Sequence, residues 1–271
     1  MSYKEILICA DANKVAASCL DAACMFATKF DAHLVALHVM PLPVIPADAM
    51  GAIPVELIEW QQEYSRKGSD EAKREVDAAA QRNGRAIEWR SVEGDIAETA
   101  LLHSRYADLV VLGQTGAEAS TGLAEAVLMG SGRPVLMMPH AGRFSSIGER
   151  VLIAWNRSRE ATRAVHDALP LLTRAKKVTV MEVDPKRGRD RHIAGADIAK
   201  HLARHGIKAE AAATAADDIA VADAILSRAA DLEIDCLVMG GYGHARLGEL
   251  VFGGVTRSIL RSMTIPTLMS H

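Results

Sequence analysis

Short unbroken apolar runs alternate along this chain with longer stretches whose apolar positions recur every three or four residues. The runs, such as "EILIC" (5–9), "HLVALHVM" (33–40) and "RVLIA" (150–154), are continuous and do not alternate with polar residues. Such Val/Ile/Leu runs fit parallel strands covered on both faces. Between them, Val15, Cys19, Ala23, Phe26 and Phe30 keep helical spacing, as do Ala161, Val165, Ala168 and Leu172. Pro170 falls inside the second of these patterns and predicts a kinked or shortened helix. Asp95, followed by Glu98, predicts a helix cap with its N3 partner, and a catalytic carboxylate pair is the competing reading.

The pattern occurs twice. "EILICADANKVAASCLDAA" (5–23) resembles "RVLIAWNRSREATRAVHDA" (150–168), and "HLVALHVM" (33–40) resembles "KVTVMEVD" (177–184). Farther on, "GDIAETALLHSRYADLVVLGQTG" (94–116) matches "DDIAVADAILSRAADLEIDCLVMGGYG" (217–243), and "GRPVLMMP" (132–139) matches "TIPTLMSH" (264–271). Because the matches keep their order, the chain is a tandem duplication with its boundary in "HAGRFSSIG" (140–148). Two doubly wound α/β domains are expected, at residues 1–143 and 144–271. The first copy also carries a Pro-rich stretch, "PLPVIPADAMGAIP" (41–54), and then a charged helix to about residue 83. A surface loop with a solvated helix is one reading of that insert, and a lid or partner surface is the other.

Composition narrows the function. Of 271 residues, 49% are hydrophobic and 24% charged, enough for a substantial core. The formal net charge of −3 offers no concentrated basic face for a nucleic acid. Cys9, Cys19, Cys24 and Cys236 form no CxxC pair and read as reduced core or helix thiols. "MSYKEILICAD" lacks the build of a signal peptide, and no apolar run approaches the roughly 18–20 residues of a membrane helix. A cytoplasmic location and no membrane partner are therefore expected.

The most informative chemistry lies in "VMGGYGHARLGELVFGGVTRSIL" (238–260), where glycines separate a strand-like run from a helix-like one. The spacing is Gly240-x2-Gly243-x9-Gly253-Gly254. Ligands of open parallel sheets bind outside the carboxyl ends of strands. Gly240 and Gly243 would let a ligand approach the backbone, and amides near Gly254, Val255 and Thr256 would offer a helix N-terminus to phosphate. The Thr256 hydroxyl and the cations Arg246 and Arg257 would add to that field. No G-x-x-x-x-G-K-[ST] is present, and Arg246 stands where a dinucleotide fingerprint needs its third glycine.

With these residues the chain resembles the universal stress protein (UspA) family in its tandem two-domain form, whose mark is G-x2-G-x9-G-[ST] between the fourth strand and fourth helix. The resemblance implies a five-stranded parallel sheet per domain in the order 3-2-1-4-5. It also implies pairing of final strands across a two-fold axis, which "PVLMMP" and "PTLMS" could make within one chain. It further implies that adenine and ribose sit near the ends of the first and second strands, with phosphates on the glycine loop. Carried over, the nucleotide-binding residues are Ala154, Trp155, Asn156, Val183, Met239, Gly240, Gly243, His244, Arg246, Gly253, Gly254, Val255 and Thr256. Asn156 stands where the family has Asp, and Gly254 where it has Ser or Thr.

The first copy keeps Asp11, Val39 and Gly113-x2-Gly116, but it reaches its last strand about five residues early, with Thr121-Gly122 opposite Gly253-Gly254. Gly130, Ser131 and Gly132 read as the turn before its last strand. The first domain is thus expected to be a degenerate partner of a nucleotide-binding second domain. Outside the loop, His201 and His205 are four apart on a helix, a metal pair by spacing but a solvated face for want of a third ligand. His244 and Glu249 are expected to be structural rather than catalytic. The resulting expectation is a switch for stress response or signalling that binds ATP, ADP or AMP, with Mg2+ on the phosphates and at most weak ATP hydrolysis. A slow ATPase or nucleotidyl-transfer enzyme, a non-nucleotide ligand sensor or scaffold, and a homodimer remain open.

Overall fold

The computed structural model describes residues 2–10, 17–42, 54–114, 122–183, 195–214, 219–243 and 254–271, except for the side chains of residues 55, 56 and 58. In the first half, β1 (Glu5–Cys9), α1 (Ala17–Phe30), β2 (His33–Met40), α2 (Val55–Asn83) and β3 (Glu88–Glu93) precede α3 (Ile96–Ser104), β4 (Leu109–Gly113), α4 (Gly122–Gly130) and β5 (Val135–Met138). The second half runs β6 (Arg150–Ala154), α5 (Arg159–Asp167), α6 (Leu169–Leu172), β7 (Lys177–Val183), α7 (Ala196–Arg204) and β8 (Ala209–Thr214). It ends with α8 (Val221–Asp231), β9 (Cys236–Gly240), α9 (Gly254–Ser262) and β10 (Thr267–Ser270).

The ten strands of the described residues form one sheet in the order β3-β2-β1-β4-β5-β10-β9-β6-β7-β8. Each half therefore has the order 3-2-1-4-5 and is parallel within itself. The halves meet where β5 and β10 pair antiparallel, with Leu136 opposite Leu268. That pairing leaves neither strand as an open edge.

Alternate strand residues face opposite sides of the sheet, and both sides are packed. Ile6, Ile8, Leu109 and Val111 join Phe26 and Phe30 of α1 on one side. Leu7, Val110 and Leu112 join Val127 and Leu128 of α4 on the other. This double burial is the reason for the unbroken apolar runs. Cys19, Ala23, Phe26 and Phe30 are all buried, and so are Ala161, Val165, Ala168 and Leu172, whereas Val15 lies outside the described residues. Burial pushes the Cys19 and Cys236 thiols up to about 12, so these residues sit in the core as neutral thiols.

Local signals in the sequence have matching geometry. The Asp95 carboxylate accepts the Glu98 amide at 2.9 Å, the capping reading rather than the catalytic one. A break at Ala168 separates α5 from α6, with Pro170 in the first turn of α6. Helix α2 ends at Asn83, and Gly84 follows in the left-handed conformation at φ 59°. Gly130 is the last residue of α4 rather than part of the turn expected over residues 130–132, and Ser131 and Gly132 turn the chain before β5, where Ser131 Oγ accepts the Arg133 amide at 3.1 Å and Gly132 has φ 69°. One expectation is corrected. His201 does not lie on a wholly solvated face, because its Nε2 is buried and its ring stands 5.2 Å from that of His166 and 4.9 Å from that of His205.

Candidate functional site

The carboxyl ends of β6, β7 and β9 open on the same side of the sheet as the N-terminus of α9. Between them lies a cavity of about 320 Å³ lined by Ala154, Trp155, Asn156, Met181, Val183, Val221, Ile225, Met239, Gly240, Gly243, Gly254, Val255 and Thr256. Its size falls at the lower end of the 300–1,000 Å³ typical of small-molecule sites. Its floor is apolar, built from the ends of strands and from Val221 and Ile225 of α8. Its polar rim is the Asn156 turn and the first residues of α9. None of the thirteen lining side chains titrates near neutral pH. A larger cleft of about 670 Å³ lies over α1 and α2. There Asp21 already accepts from Arg82 and Asn83, and Lys29 donates to the Ile147 and Gly148 carbonyls. Those side chains hold the protein's own segments together, so the smaller cavity is the better candidate site.

Each edge of the small cavity has a local cause. The Trp155 amide bonds Met181 O at 2.8 Å, extending the β6–β7 ladder by one residue before the chain turns. Asn156 Oδ1 accepts the Ser158 amide at 3.1 Å, and Arg157 takes φ 63°, which closes the turn. Ser158 Oγ then caps α5 by accepting the Ala161 amide at 3.1 Å. Arg157 is held by Glu182, buried at the end of β7, at 2.9 Å. On the opposite edge, the Tyr242 amide donates to Thr256 Oγ1 at 3.0 Å, joining the chain where it leaves β9 to the first turn of α9.

A sequence model of the universal stress protein family matches residues 2–137 and, a second time, residues 148–271. The chain belongs to the universal stress protein family. Among solved structures, a universal stress protein from Archaeoglobus fulgidus DSM 4304 is 18% identical over 97% of this chain and 97% of its own, with a TM-score of 0.69. A putative universal stress protein from Pseudomonas aeruginosa UCBPP-PA14 is 15% identical over 99% of this chain and 93% of its own, with a TM-score of 0.59. A universal stress protein family member from Burkholderia pseudomallei is 31% identical but spans 51% of this chain and 96% of its own, with a TM-score of 0.37. No curated protein matches the chain. At these identities the two long matches speak to the fold of a tandem universal stress protein and to nothing finer.

Ten of the thirteen residues named from the sequence line the cavity together: Ala154, Trp155, Asn156, Val183, Met239, Gly240, Gly243, Gly254, Val255 and Thr256. His244, Arg246 and Gly253 lie outside the described residues, as do Glu249 and, in the first half, Asp11, Gly116 and Thr121. Three details differ from the sequence reading. Gly240 is bare chiefly to admit α5, since a Cβ there would stand 2.5 Å from Ala161 N and 2.6 Å from Glu160 C. At Gly243 a Cβ would stand 2.6 Å from Glu160 Oε2. Close packing against α5 requires glycine at Gly240, whereas the atom that a Gly243 Cβ would meet is the far end of the Glu160 side chain, which can move aside. The third is Thr256, whose hydroxyl already accepts Tyr242 N and so fixes the loop ends as well as facing the cavity.

Sequence reasoning missed Met181, Val221 and Ile225, which supply much of the apolar floor. Their apolar character marks them only as core, and the cavity follows from where β7 and α8 end. It also missed Glu160, which is buried beneath the glycine segment and 3.4 Å from Arg159 Nε. Among the described residues, no helix is long and apolar enough to cross a membrane.

Proposed function

We propose that the second half binds an adenine nucleotide, ATP, ADP or AMP, in the cavity at the ends of β6, β7 and β9. The two halves would act as units bounded near residues 1–143 and 144–271, the first a structural partner joined to the second through β5 and β10. One observation carries the reading: a largely apolar cavity of about 320 Å³ is lined by strand ends on one side and by the first residues of a nine-residue helix on the other. Met181, Val183, Val221, Ile225 and Met239 would face the base. The side-chain amide of Asn156 would donate to base or ribose, because its oxygen is committed to the Ser158 turn. Amides at Gly254, Val255 and Thr256, with the positive end of the helix dipole, would hold phosphate. Mg2+ would neutralise the remaining phosphate charge, since the described lining supplies no cation of its own.

We read the site as a loaded-or-empty switch in a cytoplasmic stress response rather than as an enzyme that turns ATP over. At a hundred times its Kd, ATP stabilises the bound form by about 2.7 kcal/mol, enough to govern a conformational or association change. Calorimetric titration of the full-length chain with ATP and Mg2+ should give one site per chain, and Gly240→Ala should abolish it. No heat and no thermal shift with ATP, ADP or AMP, with or without Mg2+, would sink the proposal.

A further inference from the structure

Three imidazoles meet at the end of the sheet opposite the cavity. In a parallel β–α–β unit the helices run back antiparallel to the strands, so the last turns of α5 and α7 lie beside the strands' amino ends. His166 belongs to the last turn of α5, and His201 and His205 to the last turn and C-cap of α7. Ring centres are 4.9 Å apart for His201 and His205, 5.2 Å for His166 and His201, and 6.3 Å for His166 and His205. His201 Nε2 is buried without a hydrogen-bond partner, while the rings of His166 and His205 are exposed on either side of it.

A buried imidazole nitrogen with no partner forfeits a hydrogen bond that water would have given it. Neither neighbouring imidazole supplies that bond to His201 Nε2. A metal ion can serve all three, because each ring offers it a lone pair. Two imidazoles bound to one tetrahedral zinc at about 2.0–2.1 Å place their ring centres about 5 Å apart. Two of the three separations already have that value, and the i, i+4 spacing of His201 and His205 presents both rings on one helix face. As the side chains stand, no three groups converge on a single point, so the exposed rings of His166 and His205 must rotate to close their 6.3 Å separation. Both helices end here, and the negative ends of their dipoles favour a cation. Arg204 opposes it, which a neutral-ligand site must overcome.

We propose that His166, His201 and His205 form a surface site for one borderline divalent transition ion, zinc being the type case, with a fourth position left to water or an exogenous ligand. The site is independent of the nucleotide cavity. The test is equilibrium dialysis and calorimetry of the untagged full-length chain against zinc, with Cu2+ paramagnetic resonance to count coordinating nitrogens. The expected result is one zinc per chain, three nitrogens in the copper spectrum, and affinity lowered by roughly tenfold or more in His166→Gln and in His205→Gln. Both residues are exposed, so these variants should keep the wild-type melting temperature. Zinc binding that is absent from the wild type, unchanged in His166→Gln, or retained when all three histidines are replaced would overturn the proposal.

Discussion

The two halves enter the sheet in the same way and leave it differently. In the first, Asp108 accepts the Lys4 and Glu5 amides at 2.7 and 3.1 Å just before β4. In the second, Asp235, just before β9, accepts the Gly148, Glu149 and Arg150 amides and the Ser146 hydroxyl, all between 2.9 and 3.0 Å. One carboxylate thus gathers the start of the neighbouring strand in each copy, a shared device for register. At the carboxyl ends the copies diverge. Gly122 opens α4 nine residues after Gly113, whereas Gly254 opens α9 fourteen residues after Gly240. Where the second copy has Gly241, the first has Gln114, whose amide donates across the seam to the Leu260 and Arg261 carbonyls at the end of α9 at 2.8 and 2.9 Å. The first copy lends its side chain to its partner's helix, and the second keeps its backbone bare. One carboxyl end thus braces its neighbour with a side chain, and the other carries the cavity.

The largest effect is expected at the seam. Leu268 and Leu136 are fully buried opposite each other. Leu268→Ala should cost about 2–5 kcal/mol, read as a lowered urea midpoint. Leu136→Ala should cost much the same, and the double variant should fall short of the sum because the two side chains share one contact. If Leu268→Ala left the midpoint unchanged, the seam would not be what joins the copies.

Next comes Gly240→Ala, which drives a methyl group into the backbone of α5 at Glu160 and Ala161. Displacing that helix should cost about 1–3 kcal/mol and remove nucleotide binding, because the Asn156 turn and the α5 cap move with it. Gly241→Ala should be far milder, since its methyl group would meet only the flexible end of Leu128. Equal losses in the two variants would show that α5 packing is not the constraint on this segment.

A smaller effect should follow removal of one hydroxyl. Tyr242, at φ 55° and buried, donates from its phenol to Glu125 Oε1 of α4 at 3.0 Å. Burial, followed by the hydrogen bond to Glu125, pushes this phenol well above its ordinary range, so it remains protonated and a donor throughout the neutral range. Tyr242→Phe should cost about 1 kcal/mol and loosen the glycine segment from the first half. Hydrogen exchange at Gly241 and Tyr242 should quicken while that of β6 stays unchanged.

Much of this contrast could be read from the residues. Internal repetition exposed the duplication, and unbroken apolar runs exposed parallel strands, since both signals are local and each follows from burial on two faces. Spacing, read with the strand before it, the helix after it and the family resemblance, pointed to Gly240, Gly243 and Gly254 as one group, and all three line the cavity. What the sequence could not show was anything set by close approach between distant segments. The reason Gly240 must be glycine lies eighty residues upstream in α5. Val221 and Ile225 look like any core residues of α8, and His166 sits in α5 with nothing to say that α7 lies beside it. Asn156 was legible as a polar group at a strand end, but its commitment to the Ser158 amide is a property of the turn.

Gly254 offers the sharpest test of what the second copy has kept. No described atom lies within 4 Å of where its Cβ would stand, and the residue is exposed at the start of α9. Unlike at Gly240, then, no described neighbour excludes a side chain here. Serine at a helix start costs little in stability and can gain a capping hydrogen bond. Gly254→Ser should therefore fold as well as the wild type, and its hydroxyl would point toward the space assigned to phosphate. If phosphate is held there, one added hydrogen bond to a charged group, about 1.5–3 kcal/mol, tightens ATP roughly tenfold to a hundredfold. AMP should gain less than ATP wherever the added hydroxyl reaches the terminal phosphates rather than the first. A calorimetric series of AMP, ADP and ATP on both proteins separates these cases. Equal tightening for all three places the first phosphate at α9, and a gain that grows along the series places the tail there. No change for any of them would mean that the helix N-terminus does not hold phosphate.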